Sequence, residues 1–147
     1  MQNKSLNDSG IKIKFSDEKM WYKIDEEFNI GGGVYILKCS TETNSFMPMS
    51  TNRLVECDNN GILYIGKANS FIDRVIDLRK SISPKYKSSS HECGVRYKAH
   101  EKLKDKFPFQ NLYIELYGNN EPLDLEKTFL REYELTFGEL PPINRVT

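Results

Sequence analysis

The chain has 147 residues, of which 38% are apolar and 29% charged, and its acidic and basic side chains cancel. That size suits one domain with one modest core, and that balance excludes global disorder. An apolar run of about eighteen residues, enough to span a membrane, is absent. The polar start Met1–Gly10 lacks the apolar centre of a signal peptide, so a cytoplasmic protein without membrane contact is expected.

In chain order, residues 1–10 are expected to be mobile. Ile11–Phe15 alternates with period two and predicts a short, half-buried strand. Trp21 and Tyr22 are expected to anchor this N-terminal piece. Gly31-Gly32-Gly33 marks a turn, and Val34–Leu37 reads as a buried strand. The polar stretch 40–60 ends in Asp58-Asn-Asn-Gly61 and reads as a long loop closed by a turn. Ile62–Ile65 is a second strand, ended by Gly66 and pairing with the first as an antiparallel hairpin.

A helix follows from Ser70 to about Lys80. Ser70 and Asp73 suggest a capping box, and Phe71, Ile72, Val75, Ile76 and Leu78 form its apolar stripe. Pro84 and Ser88–Ser90 mark a loop. Residues 95–106 form a basic helical segment stopped by Pro108. Leu112–Tyr117 is a third strand, and Pro122–Phe137 a helix opened by proline and closed by Gly138 and Pro141-Pro142. No repeat with a period of about 20 to 50 residues is visible. The order predicts a small α+β domain, a sheet with helices packed against it.

Three cysteines without CxxC spacing argue against both a disulfide framework and a zinc ribbon. The neutral total hides an uneven distribution. Lys67–Lys106 holds eleven Lys/Arg against five Asp/Glu, between two acidic flanks. Such a stretch could face phosphates or simply be a solvated surface.

Four short features stand out against this background. Gly33-Val34-Tyr35 opens the first core strand, and Tyr64-Ile65-Gly66-Lys67-Ala68 closes the second. Arg74 follows Tyr64 by ten residues, on the next helix. Glu126-Lys-Thr-Phe-Leu130 lies on the last helix, before Pro141-Pro-Ile-Asn144. As an ordered set these resemble the GIY-YIG nuclease family, which includes the nuclease domain of a bacterial excision-repair enzyme and phage homing endonucleases. The likeness covers residues 30–147 and leaves 1–29 as an N-terminal extension. It implies a small three-stranded antiparallel sheet flanked by helices, and a metal-dependent endonuclease that hydrolyses DNA phosphodiester bonds.

The residue types suit that chemistry. Hydrolysis needs an activated water and stabilised negative charge on the phosphorus oxygens. Mg2+ or Mn2+ supplies both and requires a carboxylate. Glu126 is the candidate ligand, because Phe129, Leu130 and Tyr133 follow it at helical spacing. Glu132 is the alternative, because it precedes Asn144 by the twelve residues found in compact family members.

Arg74 would grip a phosphate with its planar fork, and Lys67 would add positive potential. Either Tyr35 or Tyr64 could act as base if cations lower its pKa from about 10. Asn144 completes the family's set, with a partly structural role.

Two segments, 39–60 and about 80–108, are longer than in compact relatives. The family's histidine four residues after the arginine is here Leu78. Arg96 with His100 repeats that spacing as a second phosphate-contacting pair, and His91 is a further candidate. The rival expectation is an inactive module of this fold that binds nucleic acid or a protein. A protein partner or a homo-oligomer is open under both.

Overall fold

The computed structural model describes residues 5, 6, 8–86 and 91–145. Residues 1–4, 7 and the expected loop at Ser88–Ser90 lie outside that set. The elements are β1 (Ile11–Lys14), α1 (Met20–Phe28), β2 (Gly33–Cys39), β3 (Thr51–Asn52), β4 (Cys57–Asp58) and β5 (Ile62–Ala68). After them come α2 (Phe71–Ile82), α3 (Glu92–Ala99), α4 (Glu101–Lys106), β6 (Leu112–Gly118) and α5 (Pro122–Phe137).

The result is α+β, as the element order predicts. The main sheet has four strands rather than three, in the order β1-β6-β2-β5, all antiparallel. The strand added to the expected three is β1, which lies on β6 with Ile13 opposite Ile114. It covers what would otherwise be an open edge, and it buries Ile13 and, just beyond, Phe15 in the main core.

Alternation along the strands loads both faces. On one, Tyr35, Leu37, Leu63 and Ile114 meet Phe71, Val75 and Leu78 of α2. On the other, Val34, Ile36, Ile62 and Ile65 meet Leu125, Phe129 and Tyr133 of α5, spaced one helical turn apart. Phe129 is fully buried there and contributes roughly 1.5–3 kcal/mol of hydrophobic stabilisation. Pro122 opens α5, and Gly138 ends it in the left-handed conformation at φ +82°.

Three local expectations change. Trp21 and Tyr22 do not anchor the N-terminal piece: they are 48% and 71% exposed. The anchors are Met20 and Ile24, both fully buried, with Phe28 edge-on to Phe71 at 4.8 Å. The capping box at Ser70 and Asp73 does not form. Ser70 makes no side-chain cap, and the first free N–H of α2, that of Phe71, donates to Gly31 O at 3.0 Å. The basic segment 95–106 is two helices, broken at His100.

One irregularity positions the chemistry. In the β2–β5 pairing Leu37 faces Tyr64 but Lys38 faces Ile62, so Leu63 is an extra residue in β5. This bulge turns Leu63 and Tyr64 together into the main core.

Candidate active site

β5 is an edge strand, and an antiparallel edge strand points the N–H and C=O groups of alternate residues outward. Those of Ile65 point outward and are both taken by the Asn144 side chain. Ile65 N–H donates to Asn144 Oδ1, and Asn144 Nδ2 donates to Ile65 O, each at 2.9 Å. Ile143 N–H donates to Leu63 O at 2.9 Å. The chain end therefore seals the first half of the edge, and Asn144 acts on the backbone. Two residues further along, the Glu126 carboxylate lies against the backbone N–H of Lys67. Beyond that point the edge opens into a cleft of about 800 Å3.

That cleft is lined by Tyr35, Tyr64, Lys67, Arg74 and Glu126, with Trp21 at its α1 wall. Four elements, β2, β5, α2 and α5, thus deliver five of the residues that the sequence singles out. Gly66 explains how two tyrosines fit side by side. It sits opposite Tyr35 in the register. A Cβ at Gly66 would lie 2.6 Å from the Tyr35 hydroxyl and 2.7 Å from the Tyr64 ring. Only a residue without Cβ lets both rings cross the strand, at 6.1 Å between centroids.

Tyr35 has a partner that sequence reasoning did not assign. Its hydroxyl lies 2.6 Å from His91 Nε2. His91 is fully buried. It caps α3 by accepting the Cys93 N–H on Nδ1 at 3.1 Å. Burial, then the Arg74 charge, lowers its pKa to about 4, so the ring is neutral at pH 7. With Nδ1 accepting, the single ring proton sits on Nε2 and is donated to the Tyr35 oxygen. The sequence offers His91 as a substrate contact; the structure ties it to a protein side chain.

The tyrosine pKa values do not fall as expected. Burial pushes Tyr35 well above 10, with Arg74 opposing. Burial also raises Tyr64 to about 12, again against Arg74. Glu126 is shifted upward by burial too, with Lys67 opposing. Desolvation outweighs the cations of the protein alone at all three groups.

The two alternative positions separate clearly. Glu132 is held by the N-terminal segment, accepting from Ser5 Oγ and Leu6 N–H at 3.0 Å each. Only Glu126 faces the cleft. Arg96 does not line the cleft: it donates to Ile143 O and pairs with Glu92 at 3.5 Å. His100 lies exposed at the α3–α4 break, away from it. The basic stretch is partly consumed internally as well. Arg79 donates to Phe15 O at 3.0 Å, Lys98 to Tyr86 O, and Lys104 pairs with Glu101 at 2.7 Å. Lys67, Arg74 and Lys80 line the cleft with Asp73 and Asp77, and Arg74 pairs with Asp77 at 3.5 Å.

Among the described residues no three His, Cys, Asp or Glu side chains cluster as a metal site. Of the three carboxylates on the cleft, Glu126, Asp73 and Asp77, the fit to a divalent ion rests on Glu126, since Asp77 already pairs with Arg74. Glu126 is half-buried, has its pKa raised by desolvation, and opens to a water-accessible cleft. A hard cation that keeps most of its waters and takes oxygens from a phosphate suits such a donor. No helix among the described residues is long and apolar enough to cross a membrane. No protein-family model, curated protein or solved structure matches this chain.

Proposed function

We propose that this protein is a GIY-YIG-type endonuclease that hydrolyses DNA phosphodiester bonds with Mg2+ or Mn2+. The observation that carries the reading is the convergence of Tyr35, Tyr64, Lys67, Arg74 and Glu126 on one open cleft. They come from four elements and span residues 35 to 126.

Each residue has a task in that reaction. Arg74 and Lys67 hold the scissile phosphate. Glu126 holds the divalent ion, which when bound neutralises charge on the phosphate oxygens. Tyr35, in its phenolate form, accepts the proton of the attacking water as the water oxygen bonds to phosphorus. The bond from phosphorus to the leaving sugar oxygen breaks, and that oxygen takes a proton from solvent. Tyr35 is favoured over Tyr64 as base because His91 Nε2–H already donates to its oxygen and Arg74 faces it. Both interactions stabilise a phenolate. Tyr64, less buried, orients the water. Asn144 keeps β5 in place.

The second reading is a module that binds nucleic acid or a protein without cutting. The raised tyrosine pKa values, and the lack among the described residues of three clustered metal-ligating side chains, favour it.

Incubation with supercoiled plasmid, single strands and branched DNA, in Mg2+ or Mn2+ and in EDTA, separates the two. Metal-dependent nicking supports the nuclease. Binding without cutting by a folded protein supports the module. Activity on both strands only at high protein concentration would indicate a homo-oligomer.

A further inference from the structure

The N-terminal extension places one residue in the cleft that the proposed chemistry does not use. Trp21 is the single tryptophan of the chain and stands 48% exposed on the α1 wall. It is held firmly. Met20 and Ile24 are buried on either side of it in sequence, Phe28 is edge-on to Phe71, and β1 is hydrogen-bonded into the sheet. Facing the same space on α2 are the partly exposed Ile72 and Ile76, with Lys80 beyond.

A large aromatic ring left open to water on a rigid element, beside phosphate-binding cations, matches the way proteins hold unpaired bases. The charges of α1 decide which part of a nucleic acid it takes. Asp25, one turn from Trp21, and Glu26 and Glu27 repel phosphate, and Lys23 is bound to Asp17. The helix offers a base a face to stack on and offers a backbone nothing.

We propose that Trp21 stacks on an unpaired base next to the phosphate held by Arg74. The preferred substrate is therefore DNA with an extrahelical or single-stranded nucleotide at the cut site. This rests on the nuclease reading for its choice of ligand, but its test does not need cleavage.

Trp21 is its own reporter, because no other tryptophan contributes emission. In EDTA, the full chain is titrated with a blunt duplex, the same duplex carrying one unpaired adenine, and a single strand. Strong quenching by the last two and little by the blunt duplex is expected. Anisotropy of labelled oligonucleotides should show Trp21→Ala losing about ten-fold in affinity for the bulged duplex, the size of one stacked base, with Trp21→Phe close to wild type. Trp21 is exposed, so both variants fold. Equal quenching by blunt and bulged duplexes, or unchanged affinity in Trp21→Ala, overturns the proposal. Preferential quenching without metal-dependent cleavage defeats the nuclease reading alone. Cleavage without preferential quenching defeats the Trp21 proposal alone.

Discussion

The buried tyrosines of this protein fall into two groups that differ in what their hydroxyls do. Away from the cleft, each hydroxyl gives its proton to a fixed acceptor: Tyr97 to Phe107 O at 2.6 Å, Tyr113 to Phe46 O at 3.2 Å, Tyr117 to Asp8 O at 2.8 Å and Tyr133 to Asp58 Oδ2 at 2.8 Å. In the cleft, Tyr35 receives a hydrogen bond from His91 instead. The first group shows phenols that donate to backbone carbonyls and a carboxylate, so that the proton is locked in place. The second shows a phenol whose oxygen is already supplied with a donor, so that its own proton is uncommitted. Burial raises the pKa of every one of these groups, so pKa alone does not tell them apart. The direction of the hydrogen bond does.

The sharpest way to break this contrast is Tyr35→Phe. If the uncommitted proton site is the base, cutting falls by about 10^2 to 10^4-fold in single-turnover assays, the range for loss of acid–base catalysis. The fold persists, because the ring remains. A pH–rate profile of the wild type should climb from pH 7 to 9, since a tyrosine raised above its ordinary value is deprotonated in only a small fraction of molecules at neutrality.

His91 carries the next effect, on stability. Its folded pKa of about 4 lies below the ordinary 6.5, so the unfolded chain binds a proton in that window and the folded chain does not. The stability is therefore complete above pH 6.5 and is lost as pH falls towards 4, by about 3 kcal/mol in total. Urea unfolding across that range should show a shallower slope in His91→Asn, which keeps a capping acceptor but has no imidazole to charge.

Gly66→Ala tests the crowding that puts two rings over one strand. Its Cβ would meet both tyrosines. A displacement of about 1 Å at the reacting groups is worth about 10^2-fold in rate. Cutting should fall to that extent while circular dichroism stays unchanged.

Tyr133→Phe acts on the other group of tyrosines and should have the smallest effect. It removes the donor to the fully buried Asp58, at a cost of about 1–3 kcal/mol in thermal or urea unfolding. Cutting per folded molecule should stay at the wild-type rate. A matching loss of cutting would erase the distinction between the two groups.

How much of this is visible in the chain follows from where each signal resides. Tyr35, Tyr64, Lys67, Arg74 and Glu126 are legible because strand register and helix start fix them relative to local turns, and the order of those turns is written in the sequence. That Glu126 and not Glu132 lies on the cleft follows from the apolar spacing of α5, which buries Leu125, Phe129 and Tyr133 and leaves Glu126 beside the β5 edge. The fourth strand is readable at Ile11–Phe15, but which strand it joins is not. At Trp21 size suggests burial and misleads. The four-residue spacing of Met20, Ile24 and Phe28 is the better guide to the inward face. The Tyr35–His91 bond joins residues 56 apart in sequence through the packing of α3 on α2, and nothing local announces it. Nor does a sequence show that desolvation outweighs Arg74 at the two tyrosines.

The most direct test of the central claim compares Glu126→Ala with Glu132→Ala for nicking of supercoiled plasmid in Mg2+. The two glutamates share a helix, but one faces the cleft and the other bonds the N-terminal segment. Wild type and Glu132→Ala should nick, and Glu126→Ala should not. Nicking that survives in Glu126→Ala and disappears in Glu132→Ala would contradict the placement of the reaction in this cleft.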